Sequence, residues 1–419
     1  MWTISVRAAL FAALLAAVVV SPSLAIGADS KDTKDENEIM ASPDVAKLLN
    51  AAQKLIAAND FRSAMDQLRA AQALPKRTPE DDFLINEFLA SISVRQNDIP
   101  TATTAFESMA DSPLLAKDPK KAEILYNAMV VDDVAKRYQK TIAYGKLLES
   151  FQPLDDKALA ALAEAYYFTN DYANVKLVAQ KALTAAKAAG APPPQNVLQM
   201  LYNADIKGGD RAGAAAVSEE LALEYNSPQD WAQTVDIALS SAKGSDIDHL
   251  DILRLGVAAG ASLDSSDYDL MAQIAVHRGF FGDAAMAANH GGKAPGAAAK
   301  AAADQKSLPS LITAAKGQDV MHNMVLAEDV YGYGRYAEAE QLARQAQEKG
   351  AASEATMLIG MSLAGQGKYS DAATTFKSVS GGTLTMKAAE LWQAYAAHKA
   401  MASATPAATS ANPTTPSPR

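Results

Sequence analysis

The chain has 419 residues, with 38 lysines and arginines against 48 aspartates and glutamates, so its formal net charge is −10. The absence of cysteine excludes disulfides, thiolate metal sites, cysteine nucleophiles and a lipid-modified N-terminal cysteine. The acidic balance, without a basic cluster, argues against a nucleic-acid partner, because lysine and arginine contacts to phosphate supply most of that affinity.

The first 25 residues have the order of a secretory signal peptide. Arg7 precedes an apolar run of 13 residues, Ala8 to Val20, and small residues follow it up to Ala25. This run is shorter than the ~20 apolar residues that span a membrane, and no second long apolar segment follows. We expect export with cleavage after Ala25, or else after Ala28, and no membrane span in the mature chain. An uncleaved membrane anchor is the alternative. The expected location is the bacterial periplasm, with secretion from the cell as second choice.

Two segments at the ends of the mature chain lack core-forming residues. Residues 26–42 are acidic, and the stretch Asp29 to Glu38 has no large apolar side chain, which predicts a flexible linker. After Met401 the tail contains only Ala, Thr, Ser, Pro and Asn until Arg419, so residues 401–419 are predicted to be disordered.

Between these ends the sequence predicts helices throughout, because apolar residues recur at steps of three and four and long Val/Ile/Thr alternations are missing. A longer period is superposed on this pattern. A turn is followed by an aromatic or other large residue, a small residue three positions later, and a larger residue four beyond that. The first and last copies are Phe61, Ala64, Leu68 and Tyr369, Ala372, Phe376.

The small residue marks each successive copy of the period. Its positions are Ala64, Ala102, Thr141, Val175, Ala214, Ala284, Ala339 and Ala372. The early steps are 38, 39, 34 and 39 residues, so the copies are divergent. A gap of 70 residues leaves room for a decayed copy around Trp231 to Gly260, and a gap of 55 holds an irregular Gly/Ala/Pro piece, His290 to Lys316.

This pattern resembles the tetratricopeptide repeat family, whose unit is about 34 residues of helix-turn-helix. The best matches are Ala52 to Pro75, Ala163 to Ala182, Leu326 to Ala346 and Gly360 to Phe376. The resemblance covers most of residues 43–399 and implies an all-α fold, a helix-turn-helix repeat solenoid wound as a right-handed superhelix. A compact helical bundle with accidental spacing is the alternative, because alanine-rich sequences give false small-residue matches.

The repeats are expected to form two arrays, residues 43–260 and 261–400, with the helix Thr385 to Ala400 capping the second. Close approach of two helices needs a small side chain opposite a bulky one. One hairpin leaves an apolar face uncovered, and stacking the next hairpin buries it.

No motif predicts catalysis. The cluster Gly291 to Gly296 has the wrong spacing for a phosphate-binding loop. No two of the five histidines have the spacing of paired metal ligands on one helix. The acidic clusters Asp246 to Asp251 and Asp264 to Asp269 are interpreted as helix N-terminal caps rather than metal sites. We predict a non-enzymatic protein without metal or cofactor.

In the family, partners usually lie along the concave wall, on first-helix residues that do not pack inward. The pattern assigns this role to eleven residues: Gln53, Glu87, Tyr126, Asp133, Glu164, Tyr167, Asn203, Lys207, Gln273, Glu328 and Tyr331. Such a wall, neutral to acidic with tyrosines, suits an extended apolar or basic peptide. Ordinary solvated helix positions are the competing interpretation.

The sequence therefore predicts a protein-interaction scaffold or adaptor of the bacterial cell envelope, with protein partners and no nucleic acid. The alternative is a periplasmic protein that binds a polysaccharide or a cell-wall fragment. Sugar rings stack on aromatic side chains, and Tyr166, Tyr167 and Phe168 form the only dense aromatic cluster of the sequence.

The signal peptide gives a first testable prediction. Protein recovered from the envelope of an expressing bacterium should begin at Ile26, because Ser23 and Ala25 place small residues three and one before the cut. Mass spectrometry of the N-terminal peptide measures this directly. A start at Met1 in membrane fractions would instead support the uncleaved anchor.

Overall fold

The computed structural model describes residues 39–241, 243–315 and 318–404, and these residues form twenty α-helices without a strand. The predicted signal peptide, the linker as far as residue 38 and the tail from residue 405 lie outside the described residues. The helices divide into two compact units, the first ending at Gly209 and the second beginning at Asp210.

Unit 1 contains nine α-helices within the described residues. They are α1 (Pro43–Ala57), α2 (Phe61–Gln72), α3 (Pro79–Gln96), α4 (Ile99–Ala110), α5 (Lys121–Val134), α6 (Tyr138–Glu149), α7 (Asp156–Phe168), α8 (Tyr172–Ala188) and α9 (Gln195–Gly208). A short 3-10 helix, Pro113–Lys117, follows α4.

Unit 2 contains the remaining eleven. They are α10 (Arg211–Tyr225), α11 (Pro228–Ser241), α12 (Asp246–Ala259), α13 (Ser265–Arg278), α14 (Phe281–Asn289), α15 (Ala297–Ala314), α16 (Val320–Gly332), α17 (Tyr336–Glu348), α18 (Ala352–Gly365), α19 (Tyr369–Phe376) and α20 (Thr383–Ala404).

Seven helical hairpins, four in unit 1 and three in unit 2, share one turn. Each turn contains a single residue in the left-handed region: Asn59, Asn97, Lys136, Asn170, Gly279, Gly334 and Gly367. The next N–H donates to the carbonyl five residues earlier, as from Asp60 to Leu55 and from Lys368 to Leu363. This hydrogen bond closes the helix end, and asparagine and glycine suit the left-handed position because their strain there is smallest.

The small residue of the period lies five positions after the left-handed residue in every one of these hairpins. All eight predicted small residues, from Ala64 to Ala372, are completely buried. This shared geometry confirms the predicted fold class, an all-α helix-turn-helix repeat, and the resemblance to tetratricopeptide repeats at the level of the fold.

In unit 1 the hairpins stack in a row. Each helix packs on the helix before and the helix after it, and the first helices α5, α7 and α9 also pack on one another in order. The buried residues form a continuous core through the first three hairpins and a second core around Tyr166 and Val175. This is the nearest-neighbour packing expected of a repeat array.

Unit 2 is arranged around α12, which is buried on all sides from Leu250 to Gly256. Its last helix, α20, packs on α19 and also on α12. The indole N–H of Trp392 donates to the carbonyl of Asp251 over 2.8 Å, and the Tyr395 hydroxyl donates to the carbonyl of Ala258 over 2.9 Å. The predicted capping helix therefore closes unit 2 onto its own start, rather than only covering a free end.

Two other predictions differ from the structure. The piece His290 to Lys316, predicted irregular, contains the 18-residue helix α15, because its alanine-rich composition favours helix even with Pro309 inside. The decayed copy around Trp231 to Gly260 forms the helices α11 and α12. Because α12 packs against α20, it belongs to the second unit, whereas the sequence boundary at residue 260 assigned it to the first array.

A buried arginine holds the helices around α12 together. The guanidinium of Arg254 lies 2.7 Å from Oδ2 of Asp283 on α14 and 2.5 Å from Oε2 of Glu328 on α16. It also lies 4.7 Å from the ring centroid of Tyr331. Burial raises the pKa values of the Asp251 and Glu328 carboxyls around it, so this cluster contains more acid groups than one cation neutralises.

Close helix packing can be tested at Gly360, where an added β-carbon would lie 2.5 Å from the ring of Phe376. Gly360→Ala should lower the free energy of unfolding by about 1–3 kcal/mol, because the helices must move apart or the ring must leave its rotamer. Urea unfolding followed by circular dichroism measures this. The matched control is Gly208→Ala, whose β-carbon would meet nothing within 4 Å. Unchanged unfolding of the Gly360 variant would contradict the close approach.

Candidate functional site

Four aromatic side chains meet on unit 1 at the turns of neighbouring hairpins, and we call this group the aromatic patch: Tyr138, Tyr167, Phe168 and Tyr172. Tyr138 and Phe168 stack with ring centroids 4.9 Å apart and planes 11° from parallel. Tyr167 lies 5.5 Å from Phe168, edge to face, and 6.0 Å from Tyr172. Phe168 is 43% exposed, so the aromatic patch is accessible to solvent.

The hairpin turn explains why these rings meet. Tyr138 and Tyr172 are the first residues of the second helices α6 and α8, while Tyr167 and Phe168 end the first helix α7. When two hairpins stack, the second helix of one hairpin begins beside the end of the first helix of the following hairpin. Consecutive repeats thus contribute rings to one surface.

The same register runs along unit 1. Two positions define this register: the first residue of a second helix, and the residue two before the left-handed residue of the following turn. The resulting pairs are Phe61 with Arg95, Ile99 with Val134, Tyr138 with Phe168, and Tyr172 with Lys207. None of these side chains is completely buried. The aromatic patch is therefore the most aromatic section of a longer edge that crosses every hairpin of the unit.

Two basic groups close in sequence to the aromatic patch are paired, whereas Lys207, the register partner of Tyr172, is exposed. Arg137 lies 2.6 Å from Oε1 of Glu107 and 3.5 Å from Oδ1 of Asp132. Lys176 lies 2.5 Å from Oδ1 of Asp205. The patch itself presents rings and hydroxyls, with which a ligand can make apolar contact.

Asp132 is a buried carboxyl next to this edge. Burial, together with the neighbouring Glu107 carboxylate, raises the pKa of Asp132 to about 8, against an ordinary value of 3.8. The folded protein therefore binds a proton on Asp132 that the unfolded chain releases at neutral pH.

The eleven residues predicted to contact partners have different environments. Lys207 and Gln273 are exposed; Gln53, Glu87, Tyr126, Tyr167 and Asn203 are half-buried; Asp133, Glu164, Glu328 and Tyr331 are buried. Of the half-buried set, Glu87 accepts a hydrogen bond from Lys120 over 2.9 Å. Burial and the nearby Asp155 raise the pKa of the Tyr126 hydroxyl to about 12, so it remains protonated.

Glu328 and Tyr331 surround Arg254 inside unit 2, with exposed fractions of 5% and 7%. Their burial favours a packing role for both residues. Tyr167 is the one predicted residue that lies in the aromatic patch. Sequence reasoning did not assign partner contact to Tyr138 or Tyr172, although an aromatic residue directly after a hairpin turn was the available signal.

Gln273 lies at a separate cleft of about 570 Å³ in unit 2. The cleft is lined by Leu239, Asp246, His249, Leu270, Gln273, Ile274 and His277. Nδ1 of His277 lies 3.4 Å from Oδ2 of Asp246, and Nδ1 of His249 lies 2.8 Å from the carbonyl of Ser245. In the described part of the chain, no three His, Asp or Glu side chains converge as metal ligands would.

None of the helices in the described ranges is both long enough and apolar enough to span a bilayer.

Comparison with known proteins found similarity among solved structures. No family model and no curated protein matches the chain. Among solved structures the chain is similar to the crystal structure of a tetratricopeptide repeat protein from Parabacteroides merdae. The sequence identity is 14% and the TM-score 0.33, over 77% of this chain and 100% of that one. The assignment of the fold rests on the hairpin geometry described above.

The buried Asp132 predicts a pH dependence of stability. Between pH 4 and 8 Asp132 keeps its proton in the folded state and loses it in the unfolded state, so its contribution to the free energy of unfolding should fall as pH rises through this range. Asp132→Asn should flatten this slope and raise the unfolding temperature at pH 8, because an amide remains neutral. Thermal unfolding at pH 5 and pH 8 measures both effects.

The control for this experiment is Asp66→Asn, which removes a surface carboxylate of the same unit that pairs with Arg69. It should leave the slope between pH 5 and pH 8 as in the unsubstituted protein. An Asp132→Asn variant with an unchanged slope would show that Asp132 is already ionised in the folded protein.

Proposed function

We propose that this protein is a non-enzymatic scaffold or adaptor of the bacterial cell envelope that binds extended segments of partner proteins. Stacked helical hairpins provide long surfaces that serve for protein recognition. The periplasmic location is part of the proposal, and the signal-like N-terminal sequence supports it.

The aromatic patch is the observation that supports the proposal most directly. Tyrosine and phenylalanine bury large areas on binding with little loss of side-chain freedom, and exposed apolar groups of this kind mark interaction sites. Phe168 is exposed although it stacks on Tyr138, so part of its ring is accessible to a partner.

Unit 1 is the better candidate for partner binding. In unit 2, α20 lies across α12 and buries Trp392 and Tyr395 there. The predicted wall residues Glu328 and Tyr331 are buried around Arg254. Among the described residues of unit 1, no helix packs across the first helices α5, α7 and α9 in the way that α20 packs across α12.

The alternative function, binding of a polysaccharide or cell-wall fragment, is favoured by the same rings. Sugars present apolar C–H faces that stack on aromatic side chains, and Tyr167 and Phe168 are accessible within the aromatic patch. Tyr166, the third member of the sequence cluster, is buried in the core and cannot take part.

Affinity capture from periplasmic extract tests the proposal. The full-length protein should capture one or more proteins after mild cross-linking, and Phe168→Ala should reduce their yield about tenfold, because an aromatic contact contributes ~1–1.5 kcal/mol. The matched control is Phe151→Ala. Phe151 is an exposed ring of unit 1 outside the aromatic patch, with Lys121 4.8 Å from its centroid.

A glycan array probed with the same variants separates the two functions. Array binding that Tyr167→Ala removes, together with no captured protein, would replace the scaffold proposal with the carbohydrate one. No protein capture under any condition and no array binding would contradict both.

A further inference from the structure

We propose that the cleft of unit 2 that Gln273 lines is a binding site for a lysine or arginine side chain of a partner segment. The cleft lies between α11, α12 and α13, entirely within unit 2. Its volume of about 570 Å³ is in the range of small ligand sites. This inference rests on the proposed function, binding of partner segments, and adds a second site with a stated ligand chemistry.

Three of the seven residues that line the cleft are apolar. They are Leu239 of α11 and Leu270 and Ile274 of α13. Leu239 and Leu270 are half-buried, so part of each side chain is accessible from the cleft. Lysine and arginine pack their methylene stems on apolar surface while the charged head stays at a polar edge. The apolar part of the lining therefore suits such a stem.

The imidazoles of the cleft are oriented as hydrogen-bond acceptors for a ligand. Nδ1 of His249 lies 2.8 Å from the carbonyl oxygen of Ser245, and Nδ1 of His277 lies 3.4 Å from Oδ2 of Asp246. Carbonyl and carboxylate oxygens only accept, so these contacts favour the ring hydrogen on Nδ1 and leave Nε2 of the neutral ring as an acceptor. Lysine and arginine heads have donors only, whereas hydroxyl and amide side chains also carry acceptors.

Asp246 adds a carboxylate to these acceptors. Its contacts with His277 and with Arg278 both involve Oδ2, at 3.4 Å. This distance is longer than the ~2.7–2.9 Å of a charge-assisted hydrogen bond, and the side chain is 44% exposed. No ion pair involves Oδ1 among the residues that the structure describes. A partner's cation can therefore contact Oδ1 without displacing Arg278.

Two further carboxylates extend the site along α11 and α13. Asp236 precedes Leu239 by three positions, and Asp267 precedes Leu270 by three, so each lies on the same helix face as that leucine. Burial, and then the charges of Asp267 and Asp264, raise the pKa of Asp236, and no described lysine or arginine opposes this effect. A cation from a partner would reduce the repulsion between these carboxylates, so charge favours a basic segment over an acidic one.

The basic residues of this region indicate the direction of the segment. A guanidinium N–H of Arg211 donates to the carbonyl of Ser240 over 3.4 Å, and Lys243 is exposed in the loop after α11. Both contacts lie beyond Leu239 in the chain, whereas Asp236 comes before it. We therefore expect a basic segment to run from the cleft toward Asp236.

Peptide binding to the full-length protein tests the inference. The probe is a short labelled peptide in which leucine and lysine alternate, and its matched control has glutamine in place of lysine. At physiological ionic strength the lysine peptide should bind about tenfold more tightly, because only lysine offers both a stem and a cation. Fluorescence anisotropy measures both affinities. Equal binding of the two peptides would overturn the inference.

A charge placed in the cleft locates the site. Gln273→Lys should weaken binding of the lysine peptide about tenfold through like-charge repulsion and leave the glutamine peptide unaffected. Gln273 is exposed, so the helix should be retained, and circular dichroism checks this. The matched control is Gln341→Lys, the same change at an exposed position of α17 outside the cleft. Equal weakening by both variants would show attraction by overall charge alone and would overturn the site.

Spermidine separates a partner segment from a free amine. It carries the same kind of cation without a peptide, and it should displace the lysine peptide only at a much higher concentration. Displacement at a concentration equal to that of the peptide would assign the cleft to free amines and overturn the assignment to a partner segment.

The result is distinguishable from that of partner capture. Lysine-peptide binding that Gln273→Lys weakens, with no protein captured from periplasmic extract, would support the cleft and remove the scaffold proposal. Captured proteins together with equal binding of the two peptides would support the scaffold and overturn this inference.

Discussion

Close packing of successive helices depends on the contact between a very small residue on one helix and a ring or a branched side chain on its neighbour. At Gly365 a β-carbon would lie 2.6 Å from the ring of Tyr336, and at Gly145 one would lie 3.1 Å from Leu162. Helix backbones can reach such distances only where one side contributes almost no volume. The spacing of helices, the stacking of hairpins and the surface that their turns form all follow from this constraint.

The two units are built from the same hairpin but pack it in different ways. Unit 1 keeps the open stacking of neighbours, and rings at its turns meet on the surface because Tyr138 and Phe168 come from successive hairpins. Unit 2 instead surrounds α12, and the charge of Arg254 at its centre is compensated by carboxylates from other helices. A buried ion pair of this kind adds little net stability but disfavours arrangements that leave one partner alone.

The sequence predicted what is local and repeated. The register of the small residues was correct in all eight copies, because burial against the next helix leaves a pattern within a few residues. It did not predict that Glu328 is buried, since that depends on Arg254, 74 residues earlier. Nor did it predict the helix α15, because the apolar residues of this helix are not concentrated on one face that would indicate how it packs. Of the aromatic patch, the sequence indicated Tyr167 and Phe168 as members of an aromatic cluster. Tyr138 and Tyr172 were interpreted only as residues that pack within the hairpins.

The return of α20 to α12 has a consequence for synthesis of the chain. Trp392 and Tyr395 bond to carbonyls 141 and 137 residues earlier. The contacts by which α20 covers α12 form only after the last helix has been synthesised. Until then this part of α12 lacks its final cover, which favours protection by a chaperone.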